Sequence, residues 1–225
     1  MNKITLSIII PAYNEEINIK STINKIINYF KTKNITYEII VINDGSIDNT
    51  SGIVRKFKNR RVKLYTNKEN KGKGYSVRRG IFKARYKYIL YLDADFSTRI
   101  EEFSKAKKLL KDHEIVIASR NLPESKIVIK QPLIRSIMGK TFSLLVRLFI
   151  NKNIKDSQCG FKIFKKNTAR KIFPLCTIND FGFDVEVLFI AKKLGFRVKE
   201  FPIHWYNRSD SKLKVQHDAV KMFLD

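Results

Sequence analysis

Short apolar runs alternate with longer segments of helical periodicity over the first half of this chain, and this alternation constrains the fold more than any other feature. The run Ile4–Ile10 is continuously apolar and closes at Pro11, which is typical of a strand buried on both faces of a parallel sheet. Glu15–Phe30 then carries apolar residues at helical spacing. The same reasoning predicts strands at Tyr37–Ile42, Val62–Tyr65, Tyr88–Leu92 and Ile115–Ala118, and helices from Asp48 or Thr50 to about Phe57, at Gly74–Arg85 and at Ile100–Leu110. This order predicts an α/β fold with a mainly parallel, Rossmann-like sheet flanked by helices.

Polar clusters follow three of the predicted strands at the point where each strand ends. Tyr13-Asn14-Glu15 follows the first strand, Asn43–Ser46 the second, and Asp93–Asp95 the fourth. Open α/β sheets bind ligands at the carboxyl ends of their strands. The coincidence therefore predicts a binding site at this edge of the sheet.

The acidic pair Asp93 and Asp95 is the clearest metal candidate. Two carboxylates two residues apart at a strand exit can point the same way. Hard divalent cations such as Mg²⁺ and Mn²⁺ take these oxygen ligands together with phosphate oxygens. By itself the pattern is as typical of a solvated turn, and its place directly after a buried strand favours the metal site.

The segment Asn70-Lys71-Gly72-Lys73-Gly74 precedes a predicted helix and suits a phosphate. Glycines allow close backbone approach, and lysines and a helix N-terminus favour anions. Its spacing is not that of a Walker loop. A basic glycine loop that binds no phosphate is the alternative for this segment. For Asn43–Ser46 the alternative is a plain Asp-Gly turn.

The second half of the chain is markedly basic. Residues 120–171 hold 13 Lys or Arg against two acidic residues. Within it, Ile137–Ile150 is apolar on nearly every side and suits either an interfacial helix or a core helix, since it is too short to span a bilayer. Gly160–Phe164 and Arg197–Ile203 are predicted strands, and a helix is predicted near Asp184–Leu194. A capping role for Asp184 before Val185–Leu194 is the alternative to a functional one.

The formal net charge of +24 predicts an anionic partner, which is nucleic acid, an acidic membrane surface or a phosphorylated substrate. Lysine-rich codon usage is the alternative explanation. No recognisable nucleic-acid motif accompanies the charge, so we expect no nucleic-acid partner. Two isolated cysteines and three scattered histidines predict neither a zinc site nor a disulfide framework. No apolar run reaches 18 residues and the N-terminus reads as a strand, so we expect a soluble or peripheral protein.

Taken together, these motifs occur in the order and spacing of glycosyltransferase family 2, and the chain resembles that family across about residues 4–205. The resemblance implies the GT-A fold of nucleotide-diphospho-sugar transferases. A single domain over 1–225 is expected, with a nucleotide-sugar-binding half at 1–119 and an acceptor- and membrane-facing half at 120–225. Further stretches are similar to the polyprenyl-phosphate branch, and they include Ser125–Arg135, Asp156–Lys162, Phe183–Glu186 and Pro202–Trp205.

The resemblance also implies roles for particular residues. The nucleotide sugar would be bound by Pro11, Tyr13, Glu15, Asp44, Lys73, Asp93 and Gln158; the metal by Asp93 and Asp95; the acceptor phosphate by Arg120, Lys130 and Arg135; and Asp95, Asp184 and Arg120 would be catalytic. Asp184 matches a sugar contact or an assisting base. Position 43 is Asn where many members have Asp, while Asp44 is kept.

The implied reaction is transfer of glucose from UDP-glucose to dolichyl or another polyprenyl phosphate, with inversion and with Mg²⁺ or Mn²⁺ as cofactor. The implied place is the cytoplasmic face of a membrane, with peripheral attachment. Eukaryotic relatives carry an N-terminal membrane helix that this sequence does not show. Transfer of mannose from GDP-mannose to the same lipid, and a family 2 enzyme with a non-lipid sugar acceptor, remain alternatives.

Overall fold

The computed structural model describes residues 4–129 and 154–206. Nine strands are described: β1 (Ile4–Ala12), β2 (Ile35–Asn43), β3 (Val62–Thr66), β4 (Tyr88–Leu92), β5 (Ile115–Ser119), β6 (Lys126–Ile129), β7 (Phe161–Lys165), β8 (Val198–Pro202) and β9 (His204–Tyr206). Six α-helices are described in the same residues: α1 (Ile19–Lys31), α2 (Thr50–Arg55), α3 (Lys73–Lys83), α4 (Phe103–Leu109), α5 (Lys166–Ile172) and α6 (Phe183–Lys193).

Seven of these strands form one sheet in the order β3-β2-β1-β4-β7-β5-β8. All neighbouring strands are parallel except β7, which is antiparallel to both β4 and β5. The predicted mainly parallel α/β sheet is therefore confirmed. The first four strands are contributed by the first half of the chain, whereas β7 and β8 are contributed by the second half to the same sheet.

Both faces of the sheet are covered, which explains why its strands are continuous apolar runs. Residues of a strand alternate between the two faces. Leu6, Ile8 and Ile10 pack with α1 and α4 in one core, whereas Ile9 packs with α3, α5 and α6 in the other. All four side chains are fully buried. Burying such a side chain contributes about 1.5–3 kcal/mol each.

The observed elements differ from the predicted ones mainly at their ends. Helix α1 begins at Ile19 rather than Glu15, because residues 16–18 form a turn that faces the loop after β2. The predicted helix at Ile100–Leu110 is a 3₁₀ turn, Ile100–Glu102, followed by α4. Helix α5 and the two-stranded parallel pair of β6 and β9 were not predicted.

Part of the basic second half lies outside the described residues. That part includes Lys130, Arg135 and the predicted apolar helix Ile137–Ile150. In residues 4–129 and 154–206, none of the helices combines the length and the apolar composition needed to cross a bilayer.

Candidate active site

The polar strand ends converge where the sheet order reverses. The chain builds β1, β2 and β3 in one direction and then returns to place β4 on the other side of β1. Such a switch point opens a crevice at the carboxyl ends of the two central strands. Tyr13 follows β1 there, and Asp93 follows β4. Tyr13 is 40% exposed.

The loops after β1 and β2 are joined by hydrogen bonds between backbone and side chains. Asn14 has a positive φ of 53°, and its backbone N–H donates to Ser46 Oγ at 2.8 Å. The backbone N–H of Glu15 donates to Thr50 Oγ1 at 2.7 Å. Pro11 and Ala12 are the last two residues of β1 and pair with Ile42 and Asn43. The loop that carries Tyr13 and Glu15 directly after β1 is thus fixed against the loop after β2 and the start of α2.

Asp44 is buried and holds the loop that leads into α3. Its Oδ1 accepts from Asn67 Nδ2 at 2.5 Å and from the backbone N–H of Lys71 at 3.0 Å, and its Oδ2 accepts from the backbone N–H of Gly72 at 2.9 Å. Gly72 has a φ of 97°, and a side chain there would lie 2.4 Å from the carbonyl oxygen of Asn179. Asp44 therefore keeps the N-terminus of α3 at the edge of the site.

Lys73, the first residue of α3, forms an ion pair with Asp93. The Lys73 Nζ lies 2.7 Å from Asp93 Oδ1, and the two side chains are 18% and 30% exposed. Burial lowers the pKa of the Lys73 ammonium, but the charges of Asp93 and Asp184 outweigh burial and raise the pKa overall. Lys73 is therefore cationic at neutral pH and stands beside the acidic pair.

Asp95 lies beside Asp93 and suits a divalent cation. Its Oδ1 and Oδ2 accept hydrogen bonds from the backbone N–H and the hydroxyl of Ser97 at 2.9 and 2.8 Å, which leaves acceptor capacity on both oxygens. Burial raises the pKa of Asp95, and the neighbouring charge of Asp93 raises it further. A cation between the carboxylates would relieve this repulsion.

The donor set is incomplete for a protein-only metal site. Among residues 4–129 and 154–206, no group of three or more His, Cys, Asp or Glu side chains is arranged to hold a metal ion. Two hard carboxylates alone are the arrangement in which Mg²⁺ keeps waters and takes phosphate oxygens from a substrate. The residues present therefore fit a metal that arrives with a diphosphate.

Asp184 lies in a buried network, and its charge also acts on Lys73. Its Oδ1 lies 2.7 Å from Lys162 Nζ and also accepts a hydrogen bond from the Tyr91 hydroxyl. Lys162 Nζ donates further to Tyr91 Oη at 2.9 Å and to the carbonyl oxygen of Cys159 at 2.8 Å. Lys162 and Asp184 are 0% and 1% exposed. Asp184 is thus an ion-paired residue and not a carboxylate open to solvent.

Arg120 follows β5 and is paired with Asp156. Burial raises the pKa of Asp156, but the Arg120 guanidinium and its hydrogen bonds outweigh burial and lower the pKa overall. The guanidinium lies 5.5 Å from the centre of the Trp205 ring. Gln158, two residues after Asp156, has a buried Nε2 with no hydrogen-bond partner among the described residues. An unpaired buried amide donor is costly unless a ligand or water accepts from it.

Gly160 lies directly against the metal candidate. A side chain at Gly160 would lie 1.8 Å from Asp93 Oδ2, and the backbone N–H of Asp93 donates to the Gly160 carbonyl at 3.1 Å. The entry to β7 thus contacts the exit of β4. Only a glycine leaves the Asp93 carboxylate in its present position.

Of the predicted residues, those at the ends of β1, β2, β4 and β5 lie along this one edge of the sheet, whereas Lys130 and Arg135 lie outside the described residues. Sequence reasoning missed Lys162, Tyr91 and Asn67. Lys162 carried a usable signal, since a lysine within the apolar strand Phe161–Lys165 needs a buried partner. Asn67 follows β3, as the other polar residues follow their strands.

Comparison with known sequences gives consistent matches over the whole chain. The sequence model of the family described as Glycosyl transferase family 2 matches residues 7–173. The dolichyl-phosphate beta-glucosyltransferase of Dictyostelium discoideum is 37% identical, over 100% of this chain and 73% of the relative. The protein of the same name from Saccharomyces cerevisiae is 33% identical, over 99% of this chain and 73% of the relative.

Solved structures with the same architecture are more distant in sequence. Mannosyl-3-phosphoglycerate synthase from Rubrobacter xylanophilus superposes with a TM-score of 0.74 at 16% identity, covering 98% of this chain and 73% of that one. Glucosyl-3-phosphoglycerate synthase from Mycobacterium tuberculosis, in complex with Mn²⁺, UDP and glucosyl-3-phosphoglycerate, superposes with a TM-score of 0.71 at 16% identity, covering 98% of this chain and 78% of that one. At this identity the likeness shows the fold alone, which is the GT-A fold that the motifs implied.

Proposed function

Because the chain belongs to glycosyltransferase family 2, we propose that it transfers glucose from UDP-glucose to dolichyl or another polyprenyl phosphate. The observation that carries the proposal is the cluster of Lys73, Asp93 and Asp95 at the switch point of the sheet. Glucose and the lipid acceptor are the choice that the names of the similar proteins favour.

The donor side of the site suits a nucleoside diphosphate. Lys73 supplies a cation next to the acidic pair, and the N-terminus of α3 favours anions. Asp44 and Asn67 hold that N-terminus in place, and Tyr13, which is 40% exposed, lies at the end of β1 where a base would stack. We assign Pro11, Tyr13, Glu15 and Asp44 to the nucleotide end and Gln158 to the sugar end.

Mg²⁺ or Mn²⁺ on Asp93 and Asp95 is part of the proposal. A divalent cation supplies charge neutralisation for a departing diphosphate. Asp93 and Asp95 would hold it, and Ser97 orients the Asp95 carboxylate through two hydrogen bonds. The solved structure of the M. tuberculosis synthase holds Mn²⁺ together with UDP, which supports the same arrangement here.

The acceptor side needs positioning more than it needs a base. A phosphomonoester has a second pKa of about 6 and is largely dianionic at neutral pH. One of its oxygens would form the new bond to the anomeric carbon as the bond to UDP breaks, so the configuration inverts from α to β. This chemistry needs no general base, which agrees with the ion pair between Asp184 and Lys162. Asp184 therefore has no role as a proton acceptor in this proposal. Arg120, Lys130 and Arg135 are assigned to the acceptor phosphate.

We place the enzyme at the cytoplasmic face of a membrane, attached peripherally. β6 leaves Ile127, Val128 and Ile129 about half exposed, and it lies within the basic stretch 120–171. Apolar side chains next to basic ones favour an interface with anionic headgroups, at about 1 kcal/mol for each basic residue near the surface.

A donor and acceptor screen tests the proposal. The purified chain is given UDP-glucose or GDP-mannose, a polyprenyl phosphate or a sugar acceptor, and Mg²⁺, Mn²⁺ or EDTA, and the products are identified by mass spectrometry. We expect a glucosylated lipid phosphate only with UDP-glucose and a divalent metal. Replacing Asp95→Asn should lower kcat by about 100-fold or more, whereas the exposed Asp112→Asn should leave it unchanged. Turnover of GDP-mannose alone, or an unaffected Asp95→Asn variant, would contradict the proposal.

A further inference from the structure

The Asp156 carboxylate accepts three hydrogen bonds from Arg120. Its Oδ2 accepts from the backbone N–H of Arg120 at 2.8 Å and from Arg120 Nε at 2.7 Å, and its Oδ1 accepts from Arg120 Nη2 at 2.9 Å. The Asp156 side chain is 3% exposed and that of Arg120 is 26% exposed. A two-pronged carboxylate–guanidinium contact fixes orientation as well as distance. Both the backbone and the tip of Arg120 are therefore tied to one buried carboxylate.

Asp156 is itself held in place from β8. The two carboxylate oxygens of Glu200 accept from the backbone N–H groups of Lys155 and Asp156, each at 2.8 Å. Asp156 Oδ1 also accepts from the backbone N–H of Gln158 at 3.2 Å. Asp156 thus contacts Glu200 through its backbone, and contacts Arg120 and the backbone of Gln158 through its buried carboxylate.

The remaining part of the guanidinium is directed by these contacts. Asp156 uses the Nε and Nη2 side of Arg120, and the ring of Trp205 lies 5.5 Å from the guanidinium carbon. The Nη1 side is not engaged by Asp156. Because Arg has donors in a fixed planar fork, holding one side determines where the other side points.

We propose that Asp156 is a positioning residue that orients Arg120 toward the phosphate of the acceptor. This inference rests on the proposed function, in which Arg120 contacts a phosphomonoester. Asp156 does not touch the substrate, and it acts through Arg120. The buried position is needed because a carboxylate that water could reach would let the guanidinium rotate among several orientations.

A double-mutant cycle tests the proposal. Rates are measured for the unchanged chain and for Arg120→Ala, Asp156→Asn and the double variant, with polyprenyl phosphate varied at saturating UDP-glucose and Mg²⁺. Asp156→Asn should raise KM for the lipid phosphate by about tenfold or more, since small displacements of a positioning group have such effects, while its Kd for UDP, measured by calorimetry, stays within about twofold. In the Arg120→Ala background, the same change should alter that KM by no more than about twofold.

Two further variants separate orientation from charge and from folding. Arg120→Lys keeps the charge and the ion pair but loses the planar fork, so it should show the raised acceptor KM even if Asp156→Asn does not fold. Glu114→Gln is the matched control, because Glu114 makes a similar contact with Arg197 at the other end of β5, at 3.2 and 3.1 Å, and should leave the acceptor KM unchanged.

The outcomes distinguish this inference from the function it rests on. The positioning role is refuted if Arg120→Ala raises the acceptor KM but Asp156→Asn and Arg120→Lys do not. It is also refuted if Asp156→Asn has its full effect in the Arg120→Ala background. In both cases the proposed function stands. If Arg120→Ala itself leaves the acceptor KM unchanged, or the unchanged chain does not glucosylate a polyprenyl phosphate, the assigned acceptor site fails and this inference fails with it.

Discussion

Lys73 Nζ lies 2.7 Å from Asp93 Oδ1, so in the proposed metal site the lysine and a divalent cation would share one carboxylate. Both partners are partly buried, and each lies at the end of a different element, the start of α3 and the exit of β4. The Lys73 ammonium neutralises Asp93 in this structure, and a bound diphosphate would offer it other oxygens. If the proposed metal site is correct, metal binding will depend on Lys73, which is not itself a metal ligand.

We predict that Lys73→Met tightens Mn²⁺ binding by about fivefold in the absence of nucleotide, because a unit charge at such distances is worth about 1 kcal/mol even when well screened. The same change should weaken UDP binding, because it removes a cation from the diphosphate site. The free Mn²⁺ signal in electron paramagnetic resonance measures the first effect, and calorimetry measures the second. Lys71→Met is the matched control, since Lys71 lies in the same loop and pairs with Glu69 at 3.7 Å. Equal Mn²⁺ affinities for the two variants would contradict the shared-carboxylate interpretation.

We predict that Gly160→Ala damages the metal site more than the fold. The added methyl group would lie 1.8 Å from Asp93 Oδ2, and the partly exposed Asp93 side chain has room to move away. Mn²⁺ affinity should fall by about tenfold, while the free energy of unfolding from urea titration should change by less than about 1 kcal/mol. An unchanged Mn²⁺ affinity would show that the Asp93 carboxylate does not bind the metal where it now lies.

We predict strong coupling between Lys162 and Asp184. Replacing Lys162→Met leaves a buried carboxylate without its counter-ion and should lower the free energy of unfolding by about 3–5 kcal/mol. Adding Asp184→Asn removes that uncompensated charge and keeps an acceptor for the Tyr91 hydroxyl. The double variant should therefore recover at least about 1.5 kcal/mol relative to the sum of the single variants. Additive losses in urea unfolding would mean that the ion pair is not the source of the cost.

We predict an acid-sensitive contribution to stability from Glu38, far from the active site. Its buried carboxylate accepts from Ser7 at 2.7 Å and from Lys63 at 2.8 Å. Burial raises the pKa of Glu38, but these bonds and the backbone N–H of Arg85 outweigh burial, and the pKa is lowered overall.

Because the folded-state pKa of Glu38 lies below the unfolded value, its stabilisation is present above the unfolded pKa and is lost as the pH falls through the folded one. Glu38→Gln should therefore lower the free energy of unfolding by about 2 kcal/mol at pH 7, and the difference from the unchanged chain should shrink as the pH falls below about 4. Urea unfolding at several pH values measures this, with the exposed Glu101→Gln as control. A difference that stays constant with pH would assign the loss to packing.

The fold was largely predictable because its signal is local. Tyr88–Leu92 was predicted with the bounds that the structure shows, since its apolar run is buried on both faces and ends at two acids. Placing Asp93 at the ligand-binding edge then required only the alternation of strands and helices. The direction of each strand in the sheet was harder to predict, because parallel and antiparallel strands have the same side-chain periodicity. The antiparallel direction of β7 depends on its partners β4 and β5, which lie far from it in sequence.

The candidate site was predictable in its membership but not in its contacts. Asp44 was expected at the nucleotide, and the structure has it holding Lys71 and Gly72, more than 25 residues later in sequence. Asp184 was expected near the sugar and is paired with Lys162. Such pairings are set by tertiary packing, which leaves no regular spacing in the sequence.

The reversed direction of β7 has a consequence for how this architecture diversifies. β5 ends at the ligand-binding edge and β7 begins there, so the intervening chain both departs from and rejoins the sheet on that same side. The length of this connection is therefore not constrained by the pairing of β5 with β7. The strands that carry the proposed donor site can in this way be retained while the acceptor of the sugar changes.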